Sequence, residues 1–243
     1  MRLLSCPGWV RAAVHWLAAW FVFMPPRVRV AGRAAQPMLV ERPGNARGAV
    51  LYFHGNAGLA SIPPWLRVAA DGLAIYAPEY PGYGAHATAR PSEAGVHAAA
   101  DAAYATARAD GFAPEAIYAW GNSLGGAAAA HLAARRPLGG LVMHAAFASV
   151  FTVVAPWAGA LARRVGVDIF CNVDALRRVA CPVAFVHSHE DRLIRLRDHC
   201  LPNLAAVPHA NKRVWRMAGP HNAEPPRTMA LDVLLWLQSG YEL

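Results

Sequence analysis

One serine in this chain stands where a nucleophile would be built. Gly121-Asn122-Ser123-Leu124-Gly125-Gly126 follows the apolar run Ala116 to Trp120 and precedes an alanine-rich stretch. A G-x-S-x-G segment between a strand and a helix puts the serine on a sharp turn that exposes its hydroxyl, and the glycines remove the clashes of that turn. With 20 glycines in 243 residues, such a match is expected by chance only about 0.05 times before any context is required. The plain alternative is a serine that caps a helix inside a glycine turn.

A serine hydroxyl attacks a carbonyl only with a base, an acid that orients the base, and donors for the developing oxyanion. The run GAVLYF (48–53) leads into His54-Gly55-Asn56-Ala57-Gly58, whose small residues let backbone N–H groups point at an oxyanion. The candidate donors are the amides of Asn56 and of Leu124, the residue after the nucleophile. PVAFVH (182–187) is followed by SHEDRLI (188–194), and Asp191 is the acid chosen there, over Glu190, Asp168, Asp174 and Asp198. Asp168 and Asp174 have no strand-like run ahead of them. His221, in Gly219-Pro220-His221-Asn222, lies between the last strand-like run and the last helix-like one, and is the candidate base. Serine, acid, histidine is the chain order of the strand–turn–helix elbow. His54 precedes the serine and is read as a brace for its own loop.

A rival chemistry shares one of these segments. His187-x-His189-x-Asp191 imitates an H-x-H-x-D zinc signature. Position 192 is arginine where that signature continues with histidine, and zinc would leave GNSLG and GPHN without a purpose.

These groups need elements to hold them. Short apolar runs at 48–53, 73–77, 116–120, 141–144, 182–187 and 213–216 read as strands, and 92–110, 124–136, 195–206 and 226–238 as helices. The alternation predicts an α/β fold: a mostly parallel sheet with helices on both faces and ligands at the carboxyl ends of its strands. A chain that is 56% hydrophobic and 16% charged is not disordered and suits strands buried on both faces. Its 4 cysteines, with no C-x-x-C pair, support neither a disulfide scaffold nor a zinc finger. The net charge is +8. All but one of the basic residues are arginine, scattered singly or in pairs without interleaved aromatics, so a nucleic-acid partner is not expected. That arginine bias, with the heavy use of alanine, reads as GC-rich bacterial coding.

Residues 1–24 differ from the remaining domain, 25–243. Val10 to Met24 is apolar and Trp-rich, with Arg2 and Arg11 ahead of it and Pro25-Pro26 after it. Three readings stand: an interfacial or marginal membrane anchor, an uncleaved signal-like segment, and a helix packed on the domain. Localisation follows the choice, membrane-associated through residues 1–24 or cytoplasmic. Trp16, Trp20 and Phe23 recur at helical spacing.

The matching segments LYFHGNAG (51–58), YAPEYPGYG (76–84), PSEAG (91–95), GNSLGG (121–126), CPVAFVHSHEDRL (181–193) and GPHN (219–222) resemble the α/β-hydrolase superfamily. Within it they resemble a small lidless branch that often carries an N-terminal anchor and includes esterases and acyl-protein thioesterases. Two departures stand out: His187-Ser188-His189 where the family usually has a glycine before the acid, and Glu79 where it usually has aspartate. The resemblance implies an ester or thioester substrate, small or acyl-protein, cleaved through Ser123, Asp191 and His221 without metal or organic cofactor. Amide hydrolysis on the same residues and a catalytically silent binding protein are the alternatives. Ala145 to Cys181 leaves room for two or three short helices and no large cap. Phe147 and Phe151 there, and Tyr83 after the second strand-like run of the core, are candidates for the substrate pocket.

Overall fold

The computed structural model describes residues 7–8, 22–26, 37–157 and 159–239. Its centre is one sheet of seven strands: β1 (Met38–Glu41), β2 (Ala49–Phe53), β3 (Ala74–Pro78), β4 (Ile117–Asn122), β5 (Gly140–His144), β6 (Val183–Ser188) and β7 (Lys212–Met217). The spatial order is β1-β3-β2-β4-β5-β6-β7. β1 runs antiparallel to β3, and every other pair is parallel.

Side chains alternate between two cores, as the pleat requires. Leu51, Phe53, Ala119, Leu141, Met143 and Phe185 face one; Val50, Tyr52, Trp120, Val142, Ala184 and Val186 face the other. Both faces are therefore apolar, and the central strands read as unbroken hydrophobic runs. The first core is covered by α2 (Glu93–Ala109) and α3 (Leu124–Ala133), the second by α1 (Pro64–Ala69) and α8 (Arg227–Gln238). α2 starts where Ser92 accepts the Gly95 amide at 3.0 Å and stops before Gly111, which sits at φ 95°. The interval between β5 and β6 holds three short helices, α4 (Val150–Val154), α5 (Gly159–Arg164) and α6 (Asn172–Leu176); α7 (Leu201–Ala206) follows β6.

Two elements lie outside the sequence expectation, β1 and α1. β1 is four half-buried residues on the sheet edge, where a short strand needs no strong apolar pattern. α1 begins on Pro63-Pro64, which reads as a breaker unless proline falls at the first helical position. No helix among the described residues is long and apolar enough to cross a membrane. Residues 9–21, on which most of the N-terminal expectation falls, lie outside the described residues.

Candidate active site

Ser123 sits between β4 and α3 at φ 51° and ψ −111°. That backbone is strained for a residue with a Cβ, and the neighbouring glycines show why it closes. A Cβ on Gly121 would lie 2.2 Å from the Gly125 carbonyl oxygen, and one on Gly125 would lie 2.0 Å from the Phe53 carbonyl oxygen. The turn is held by two backbone bonds: the Ser123 amide donates to the His144 carbonyl at 2.8 Å, and the Gly126 amide to the Ser123 carbonyl at 3.0 Å.

The three predicted groups meet there. Ser123 Oγ lies 3.0 Å from His221 Nε2, and His221 Nδ1 lies 2.7 Å from Asp191 Oδ2. A carboxylate only accepts, so Nδ1 carries the proton and Nε2 is left to accept from the serine hydroxyl. The other oxygen, Asp191 Oδ1, takes the amides of Leu193 and Ile194 at 2.9 and 2.8 Å. Burial pushes the Asp191 carboxyl up, but bonds from His221 and the Ile194 amide outweigh it and hold the group below the usual carboxylate range.

Asp191 follows β6 and His221 follows β7, on adjacent loops tied to each other. Ser188 Oγ donates to the Gly219 carbonyl, the Gly219 amide donates to Glu190 Oε2 at 2.8 Å, and the His189 amide donates to the Met217 carbonyl at 3.0 Å. Sequence reasoning missed the roles of Ser188 and Glu190. Their only signal in the sequence is adjacency to Asp191. Within His187-Ser188-His189, ahead of Asp191, it is the Ser188 hydroxyl that braces the histidine loop.

The loop after β2 is braced from below. His54 Nε2 meets Glu79 Oε1 at 2.9 Å in a pair buried from solvent. Glu79 also accepts the amides of Ala60 at 3.0 Å and Tyr80 at 3.1 Å, while the Tyr80 hydroxyl donates to the His54 carbonyl at 3.0 Å. His54 thus braces its loop. Gly84 makes room for the longer acid, since a Cβ there would lie 2.1 Å from Glu79 Oε2. Gly55 passes close to Ser123: a Cβ on it would lie 3.5 Å from that of Ser123. The amides of Asn56 and Leu124 have no acceptor among the described residues.

His187 and His189 do not converge on a metal. His187 Nε2 donates to the Ile194 carbonyl at 2.7 Å, whereas His189 is exposed beside Glu190. Among the described residues no group of three His, Cys, Asp or Glu side chains is arranged to hold a metal ion. Buried His144, whose carbonyl receives the Ser123 amide, is pushed down to about 3, by burial first and then by the charges of His187 and His221. Of the pocket candidates, Tyr83 and Phe147 are buried in one core. Phe151 stands half-buried on α4, with its amide on Asp168 Oδ1 at 3.2 Å.

No protein-family model matches the chain. It is 28% identical over 197 residues to "Alpha/beta hydrolase domain-containing protein 17B" of Xenopus tropicalis, covering 76% of this chain and 64% of that protein. It is 28% identical over 205 residues to "Alpha/beta hydrolase domain-containing protein aho-3" of Caenorhabditis elegans, covering 81% and 58%. The chain therefore spans less than two thirds of the length of these relatives. Among solved structures, the monoacylglycerol lipase of Paleococcus ferrophilus superposes with a TM-score of 0.60 at 16% identity, covering 84% of this chain and 100% of that one.

Proposed function

This chain belongs to the α/β-hydrolase superfamily, and on that premise we propose that it is a serine hydrolase that cleaves a carboxylic ester or acyl thioester through an acyl-enzyme. The observation that carries the reading is the unbroken hydrogen-bonded line Ser123–His221–Asp191, with the serine on a strained elbow. In this scheme His221 Nε2 takes the Ser123 proton as Oγ attacks the carbonyl carbon. Asp191 holds the imidazole in the tautomer that can accept and stabilises the imidazolium that forms. The oxyanion is met by the amides of Asn56 and Leu124, whose donors are spare and fixed before substrate arrives. His221 then protonates the leaving oxygen or sulfur. Water, deprotonated by the same nitrogen, attacks the acyl-Ser123 carbonyl and releases the acid. No step draws on a metal or organic cofactor.

The test uses the full chain with a fluorophosphonate probe, followed by intact mass, beside a panel of p-nitrophenyl esters and acyl thioesters. One covalent adduct on Ser123 and hydrolysis of some ester or thioester are expected. Ser123→Ala should lose both, with turnover down on the order of 10³-fold or more, while keeping its circular dichroism. An unlabelled wild-type protein, or a Ser123→Ala variant that keeps most of its turnover, overturns the reading.

A further inference from the structure

Among the described residues nine large apolar side chains stand exposed, and five of them, Met24, Val154, Trp157, Leu161 and Leu193, belong to segments at the end of the sheet that carries Ser123. The other four lie on α1, α7 and α8. Two of the five hang from the site itself. The Leu193 amide donates to Asp191 Oδ1 at 2.9 Å. The Met24 amide donates at 2.9 Å to Asn56 Oδ1, which also accepts the Tyr83 hydroxyl at 2.6 Å, while Asn56 Nδ2 donates to the Val22 carbonyl. Between those bonds Phe23 turns inward against Phe170, ring centroids 5.8 Å apart, and Met24 is left facing out.

The other three belong to α4, α5 and the turn between them, which follow β5. The pair is tied down at its base: the Val150 amide donates to the Ile169 carbonyl at 3.2 Å, and the Phe151 amide to Asp168 Oδ1 at 3.2 Å. α5 starts against α4, since a Cβ on Gly159 would lie 3.0 Å from Thr152 Oγ1. Val150 and Ala162 supply the buried side. Val154, Trp157 and Leu161 are therefore not needed by the core, and each is more than half exposed; Trp157 stands at 87%. A tryptophan so little covered gains nothing from the fold, and its amphipathic ring is favoured where water meets lipid.

The charges beside these side chains name the lipid. Arg163 and Arg164 follow Leu161, and Arg192 precedes Leu193; none of the three has a carboxylate within 4.0 Å among the described residues. The exposed acids of the loops after β6 and β7 include Glu190 and Glu224, and Glu190 is engaged by the Gly219 amide at 2.8 Å. We infer that the Ser123 end of the domain is a docking surface for an anionic lipid bilayer, with Trp157, Val154 and Leu161 entering the interface and the three arginines meeting the headgroups. Each arginine near an anionic surface is worth about fivefold in partitioning, and the apolar side chains add area that leaves water. The surface does not depend on what Ser123 does, and it is separate from any contribution of residues 1–21.

The experiment floats the full chain with vesicles of phosphatidylcholine alone and of phosphatidylcholine with one quarter phosphatidylglycerol. The wild type should partition at least fivefold better onto the anionic vesicles. Trp157→Ser with Leu161→Ser should lose at least tenfold of that partitioning while keeping its circular dichroism. Trp157→Ser alone should lose about threefold, and it reads the same surface if the double variant fails to fold. Val68→Ser, which removes an equally exposed side chain on α1, should float as the wild type does. A wild type that stays unfloated with both vesicles overturns the inference. So does flotation of the folded double variant, or of Trp157→Ser where the double variant does not fold, within twofold of wild type, which assigns attachment to another part of the chain. Turnover of soluble p-nitrophenyl acetate reads the hydrolase proposal separately: a chain that floats as expected but hydrolyses nothing keeps the docking surface and loses the hydrolase reading.

Discussion

Asp191 has every lone pair committed that matters: one oxygen to two backbone amides, the other to His221. Asp191→Asn leaves the size unchanged but offers His221 a donor in place of an acceptor, so the imidazole flips to the tautomer that cannot take the serine proton. Turnover should fall on the order of 10⁴-fold while the melting temperature moves little, as steady-state kinetics and calorimetry would show. Asp198→Asn, whose carboxylate pairs with Arg195 and Arg197, should keep near-full activity. EDTA should not inhibit; inhibition reversed by zinc would reinstate a metal at His187, His189 and Asp191. At this scale the sequence was informative because the elbow demands specific residues in a specific chain order. Ser123, Asp191 and His221 could each be placed by the strand that precedes them. Ser188, Glu190 and Glu79 could not, since bracing needs only a polar atom within reach, and reach is a property of the fold.

The loop after β2 depends on one buried carboxylate. Glu79, buried from solvent, takes an imidazole N–H and two backbone amides. Replacing it by alanine strands three donors, each costing about 1–3 kcal/mol. Glu79→Ala is therefore expected to melt well below wild type. Glu79→Gln, which keeps the shape but puts an amide NH2 against at least one donor, should fold and lose part of its kcat with little change in KM, because the Asn56 amide, the proposed oxyanion donor, rides on that loop. Equal kcat in Glu79→Gln and wild type would show that the brace is not coupled to chemistry. At the element scale the central strands were legible to within a residue or two, because a sheet buried on both faces leaves nothing but apolar side chains to write. The edge strand β1 and the proline-led α1 carry no such pattern. Their position is set by what they pair with.

Over the whole molecule, buried neutral histidines set how stability responds to acid. His144 and His199 are held down, to about 3 and about 4, chiefly by burial. Unfolded imidazoles take up protons below about pH 6.5. Between that pH and the folded values the unfolded chain binds more protons, so stability is complete above about pH 6.5 and falls as pH falls, by at most about 1.4 kcal/mol per pH unit for each of the two. Calorimetry should show a melting temperature that declines from pH 7 to pH 5. His199→Asn, which can still accept the Ala148 amide that His199 Nδ1 receives at 3.2 Å, should flatten that decline. An equal decline in the variant would assign the acid sensitivity elsewhere.

The segment Val22–Met24, bonded to the Asn56 side chain and packed on Phe170, has a consequence in time as well as in space. Its anchors, Asn56, Tyr83 and Phe170, are all made after it by the ribosome, and Phe170 lies beyond the elbow and β5. Residues 22–24 thus find their seat only after the chain has been made through Phe170. Until Phe170 has been made, the seat of Phe23 is unbuilt, so a segment made before its seat packs after it.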